Sequence, residues 1–211
     1  MKTKIINISK IVTWDKKCDS LKIYKNKDIL LRNNKIIQIS DCVNEFDNII
    51  DAENNLLTPG FIDSHTHPIF VGNRANEFIM RLENKSYDEI YKSGGGINAS
   101  IMNLRKSSDS KLYESSLNNI IPFINNGTTT LEVKSGYGLT FEDEIRSLEV
   151  IKKINSELSI DLIPTFLGAH SIPPEFSGKN NDYVKLICEE MIPEVSNNKL
   201  AVFCDVFCEK N

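Results

Sequence analysis

Residues 57–70 read LTPGFIDSHTHPIF, and the chain changes grammar within them. Pro59 and Gly60 are strong local breakers. Ahead of them, residues 1–57 carry short β-branched runs, KIINISKIV, LKIYKNKDILLRNNKIIQIS and NIIDAENNLL, separated by Asn, Asp and Lys clusters typical of tight turns. That pattern predicts a small antiparallel β unit. After Gly60, strand-like runs alternate with amphipathic helical stretches, the signature of βαβ units and a parallel sheet. The expected fold is therefore α/β, with a β unit at 1–57 and a partial barrel of (β/α) repeats over 58–211.

Strands are expected at 61–64, 128–133, 161–167 and 201–207, with helices at about 110–125, 141–157 and 182–195. Gly127 reads as a helix C-cap, and Thr140 with Asp143 resembles a capping box. This layout puts His65 and His67 after the first strand, Lys134 and Tyr137 after the second, His170 after the third and Glu209 after the fourth. In a parallel α/β barrel those strand ends converge on one mouth, where the active site sits. A complete barrel takes about 250 residues, so residues 58–211 are expected to form half of one, and the sequence reads as a fragment of a longer protein.

The chain has 211 residues, 40% of them hydrophobic, enough for a sizeable core. Its 25 Lys and Arg against 29 Asp and Glu give a net charge of -4 without a long basic block, which argues against nucleic acid as a partner. A small uncharged or mildly anionic ligand fits better. The apolar runs are too short for a signal peptide or a membrane span. Five cysteines without a CxxC fit free thiols in a reducing compartment, so a cytoplasmic location is expected.

Two histidines at i and i+2 on an extended segment point the same way, so both imidazoles can reach one ion. The alternative is a pair of ordinary turn residues; the position at a barrel mouth favours metal. Cys204 and Cys208 form a CxxxC that could bind zinc, but packing in the barrel core is the better expectation. The SGGGI run at 93–97 lacks the Lys-Ser/Thr of a phosphate loop and reads as a flexible loop near the mouth.

Residues 59–67, PGFIDSHTH, match the PGFIDxHxH signature of the metal-dependent amidohydrolases. Further stretches narrow the likeness: FVGNRANEF at 70–78, SGGGI, TTLEVKSGYGL at 129–139, PTFLGAHSIPPEF at 164–176 and CDVFCE at 204–209 resemble the N-terminal half of the imidazolonepropionase family. The resemblance implies hydrolysis of 4-imidazolone-5-propanoate to N-formimidoyl-glutamate in histidine degradation, by a water activated by one zinc or iron ion.

In that family the residues matching His65 and His67 bind the metal, and those matching Arg74, Tyr137 and His170 contact a substrate that carries a carboxylate. Arg81 is the internal competitor for the role of Arg74. The family has a one-metal site, which leaves Lys134 structural. It also implies a homodimer, and a β unit that joins C-terminal strands in a composite β-sandwich. Its remaining metal ligands and proton-transfer residues come from later barrel strands, so this chain alone is expected to be inactive. Rival readings are another cyclic-amide hydrolase, a heterocycle deaminase, or a non-catalytic half-barrel protein.

Overall fold

The computed structural model describes residues 1–33, 35–86, 89–90 and 95–208, and the chain divides into two compact units, Met1–Gly60 and Phe61–Asn211. Each has its own core.

In the first unit, β1 (Lys2–Ile6) lies antiparallel to β4 (Asp28–Arg32) and parallel to β6 (Asn48–Asp51), and β4 pairs antiparallel with β5 (Lys35–Ser40). A second sheet joins β2 (Lys10–Asp15) antiparallel to β3 (Ser20–Tyr24) and parallel to β7 (Leu56–Leu57). The unit is thus mixed rather than purely antiparallel, because β6 and β7 return alongside earlier strands. Ile8, Ile11 and Ile29 form its buried centre. The Asn and Asp clusters do what their chemistry allows: Asn7, Asp19, Asn26, Asn33 and Asn54 all take positive φ, a region their short polar side chains tolerate.

The second unit is built on four parallel strands in the order β11-β10-β9-β8: β8 (Phe61–Asp63), β9 (Thr128–Lys134), β10 (Asp161–Ala169) and β11 (Phe203–Val206). Its helices include, among the described residues, α1 (Ala75–Leu82), α2 (Ile97–Lys106), α3 (Asp109–Asn125), α4 (Phe141–Glu157), α5 (Asn180–Lys185) and α6 (Ile192–Asn197). The single helix expected at 182–195 is divided by a π-helical segment, Leu186–Met191, between α5 and α6. Both expected helix ends are capped, although the Asp143 carboxylate accepts from the Thr140 hydroxyl at 2.9 Å and not from the Thr140 N–H that a full capping box would use. Gly127 takes φ +87 and closes α3 through its N–H to Ile124, while the Thr140 hydroxyl accepts the Asp143 N–H at 3.1 Å.

Period-two alternation divides the strands into a packed face and an open one. Leu131 and Val133 of β9 and Leu162 of β10 are buried with Leu112 and Ile120 of α3 and Leu148, Ile151 and Ile154 of α4. Thr130, Glu132, Lys134, Ile163, Thr165 and Asp205 line the opposite face around a cleft of about 350 Å³. Among the described residues β8 and β11 each have one neighbouring strand, and Ile62 and Phe203 are 72% and 59% exposed. That edge position corrects one expectation: Cys204 and Cys208 are exposed rather than packed in a core. Strand β11 ends at Val206, so Cys208 is not on it.

Candidate metal and substrate site

Thr66 explains why the two histidines face one way. Its N–H donates to Glu132 Oε2 at 3.1 Å, its hydroxyl donates to the Glu132 carbonyl at 2.5 Å, and its own carbonyl accepts the Lys134 N–H at 3.2 Å. Thr66 is thereby buried against β9, and the residues on either side turn to the strand ends.

The Nε2 atoms of His65 and His67 lie 3.3 Å apart. Two nitrogens each about 2.0–2.1 Å from a tetrahedral zinc ion are separated by about 3.3–3.4 Å, so the pair already has the spacing of two ligands of one ion. Burial, with the neighbouring His170, His65 and Lys134, pushes the His67 imidazole down to about 4, which keeps it neutral near pH 7. A metal-binding imidazole must be neutral. Among the described residues no group of three or more His, Cys, Asp or Glu side chains is disposed to hold a metal, so these two imidazoles are the donor set at hand.

His170 and Tyr137 close around the pair. The His170 ring stacks on that of His67, with centroids 5.1 Å apart and planes 25° apart, and Tyr137 lies 5.2 Å from His170 and 5.9 Å from His67. His170 Nδ1 is 2.8 Å from the Gly136 carbonyl, which can only accept. Nδ1 therefore carries the proton, and Nε2 keeps its lone pair. Burial lowers the His170 pKa and raises that of Tyr137, the nearby Arg74 opposing the second shift.

Arg74 immediately precedes α1, and its guanidinium contacts Glu77 Oε2 at 2.5 Å. The other oxygen of Glu77 accepts the Gly96 N–H at 2.9 Å, so one carboxylate joins Arg74 to the glycine turn before α2. The bond from Arg74 holds the Glu77 carboxyl below the usual carboxylate range. Arg74, Tyr137, Phe70, Ser100 and Asn103 line a pocket of about 220 Å³. Arg81 falls in the last turn of α1 and is not part of that lining.

Lys134 faces the open side of the sheet, 2.7 Å from Glu132 and 2.8 Å from Asp205, with its side chain only 5% exposed. Glu132 belongs to β9 and Asp205 to β11, so the ammonium spans alternate strands, as side chains in a barrel layer do. Burial disfavours its charge, but the bonds to Asp205 and Glu132 outweigh that and raise its pKa. An ammonium between two carboxylates suits a structural lysine rather than an anionic, carboxylated one.

The strand ends thus bring together His65, His67, Tyr137 and His170, with Arg74 sharing a pocket with Tyr137. Glu209, and Ser93 and Gly94 of the glycine run, lie outside the described residues. Glu77 and Glu132 escaped the sequence reading. Their signals were positional: Glu77 is one helical turn from Arg74, and Glu132 alternates with Thr130 and Lys134 on the polar face of a strand.

No family model matches the chain. Curated relatives do. The imidazolonepropionase of Geobacillus thermodenitrificans is 43% identical over 92% of this chain and 48% of its own length, and that of Clostridium tetani is 38% identical over 98% and 52%. The chain is homologous to the imidazolonepropionases.

It spans about half the length of the curated relatives it matches. Among imidazolonepropionases of higher identity, that of Brevibacillus brevis is 48% identical over 77% of the chain. Among solved structures, a guanine deaminase from C. acetobutylicum matches with TM-score 0.53 at 18% identity, over 90% of this chain and 43% of its own. A 5-methylcytosine deaminase from Klebsiella pneumoniae matches with TM-score 0.54 at 16% identity, over 97% and 51%. These two likenesses support a partial α/β barrel fold and say nothing about substrate.

Proposed function

We propose that the chain carries part of the active site of an imidazolonepropionase, which opens the cyclic amide of 4-imidazolone-5-propanoate to N-formimidoyl-glutamate. The observation that carries this reading is the pairing of two convergent imidazoles with a guanidinium-lined pocket beside Tyr137, in a chain whose curated relatives bear that name. His65 and His67 would hold one zinc or iron ion, since imidazole suits both. When bound, that ion supplies a Lewis acid and a water made nucleophilic at neutral pH.

The chain's own residues orient the substrate. Arg74 binds the propanoate, a match of planar guanidinium to carboxylate. The Tyr137 phenol, kept protonated, donates to the ring, and His170 presents the unprotonated Nε2 to a ring N–H. Phe70 and Tyr137, 6.3 Å apart, shield that end of the pocket from water. A deaminase acting on an uncharged base has no use for a guanidinium there, which favours the imidazolone over that alternative.

Two imidazoles are fewer ligands than a catalytic zinc site uses. The further ligands and the proton-transfer residues belong to other barrel strands, so the 211-residue chain binds but does not turn over. The N-terminal unit contributes to a composite β-sandwich, and the whole enzyme works in the cytoplasm as a homodimer.

The test is binding of imidazole-4-propanoate, a stable analogue with the same ring size and carboxylate, to the metal-free chain by NMR titration. Saturable binding with shifts at Tyr137 and His170 supports the reading; no binding, or equal binding of 4-propylimidazole, which lacks the carboxylate, contradicts it. Arg74→Ala is expected to weaken that binding by about 10- to 150-fold, the loss of one charged hydrogen-bonding partner. Arg81→Ala should leave it within about twofold, as expected of an exposed surface change.

A further inference from the structure

We propose that Glu144 is a positioning residue: a buried carboxylate that holds the 135–139 turn so that it presents the Tyr137 phenol to substrate and the Gly136 carbonyl to His170. The substrate-facing part of this inference rests on the reading above. The turn itself does not.

Glu144 lies in the first turn of α4 and is completely buried. Its Oε1 accepts three peptide N–H groups, from Gly136 at 3.1 Å and from Gly138 and Leu139 at 2.9 Å each. Peptide N–H groups converging on one point form an anion-binding concavity, here filled by a side chain of the same chain. The Glu144 Oε2 has no hydrogen bond of good geometry among the described residues. Burial pushes the carboxyl pKa up, opposed by the Ser135 hydroxyl and the same N–H groups.

The turn has a shape that needs such a restraint. Leu139 takes φ +55, the left-handed region that bulky residues rarely adopt, and is fully buried there. Gly136 takes φ +108, and a Cβ at that position would come within 2.8 Å of the Leu167 carbonyl and 3.1 Å of His170 Nδ1. Arg105 Nε holds the outer side through the Gly138 carbonyl at 2.7 Å. Tyr137 therefore sits on a turn gripped from both sides. The Gly136 carbonyl accepts from His170 Nδ1, so the same grip sets which imidazole nitrogen of His170 faces the ligand.

The experiment uses the metal-free chain labelled with ¹⁵N-histidine, in the wild type, Glu144→Ala and Glu144→Gln. The His170 tautomer is read from two-bond ¹⁵N–¹H correlations, and affinity for imidazole-4-propanoate from titration. Wild type is expected to show the Nδ1–H tautomer alone. In Glu144→Ala the signal should move to a mixture of tautomers, with affinity down by about tenfold or more, roughly the worth of one lost positioning bond. Glu144→Gln, which keeps an acceptor oxygen, should rescue both. If Glu144→Ala does not fold, Glu144→Asp, whose shorter side chain cannot reach all three N–H groups, takes its place. An unchanged His170 tautomer in whichever of these two variants folds overturns the proposal. Because the tautomer is read without ligand, failure of the wild type to bind the probe would count against the functional reading alone.

Discussion

His67→Ala is expected to lower the zinc affinity of the chain by about 100-fold, or roughly 2.7 kcal/mol. The magnitude follows from the donor count. His65 and His67 are the two imidazoles whose Nε2 atoms converge, at 3.3 Å, and with one gone the ion has a single nitrogen left. Isothermal titration calorimetry on the two proteins at equal pH measures the difference directly. His67→Ala should not unfold the chain, since the ring is only half-buried and its Nδ1 makes no hydrogen bond among the described residues. Equal zinc affinity in the variant would mean the ion sits elsewhere, and the HxH pair would be turn chemistry after all. His170→Ala is the control: it removes a ring stacked on His67 but no assigned ligand, so zinc affinity should fall by less than about tenfold, the upper worth of one ring–ring contact.

Lys134→Met is expected to destabilise the second unit by about 3 kcal/mol, the lower end of the range for removing one partner of a buried ion pair. Glu132, 12% exposed, would be left with its charge and without its ammonium, while Asp205 at 44% can turn to water. The sign depends on that asymmetry. Methionine fills the volume of the lysine stem, so little of the loss is cavity. The double variant Glu132→Gln/Lys134→Met removes the stranded charge and should regain at least about half of the loss, which a double-mutant cycle in urea measures. A Lys134→Met loss below about 0.5 kcal/mol would show that the ammonium does not hold β9 to β11. If the zinc stoichiometry stays unchanged in Lys134→Met, the lysine is structural; if it falls, Lys134 is part of the metal site.

Much of this could be read from residues because two local rules are strong. Breakers at Pro59 and Gly60 separate a β-branched, Asn-rich segment from one where strands alternate with helices, and the two compact units divide at Gly60. The strands β8 to β11 fall within a few residues of their expected positions, since their apolar runs are bounded by turn chemistry. Their ends carry the histidines and Tyr137, as a parallel sheet requires. What could not be read is set by long-range pairing. Nothing local says that β6 returns parallel to β1, or that the helix after β10 takes up a π-helical segment at Leu186–Met191.

The carboxylates were harder still. Glu144 stands on the buried stripe of α4 with Ser147, Leu148 and Ile151, a charged residue where the period calls for an apolar one, and that misfit was the available signal. Glu77 and Glu132 gave no such misfit, because Glu at an exposed-looking position is ordinary. Their roles appear only when Gly96 and Thr66 are brought to them across 19 and 66 residues.

The most direct test of the account is to titrate the ¹⁵N-histidine-labelled chain with zinc and follow all three imidazoles by NMR. One equivalent of zinc should move the Nε2 resonances of His65 and His67 to metal-bound values while His170 keeps its Nδ1–H tautomer. Zinc binding that leaves either His65 or His67 unmoved, or that takes His170 as a ligand, would contradict it.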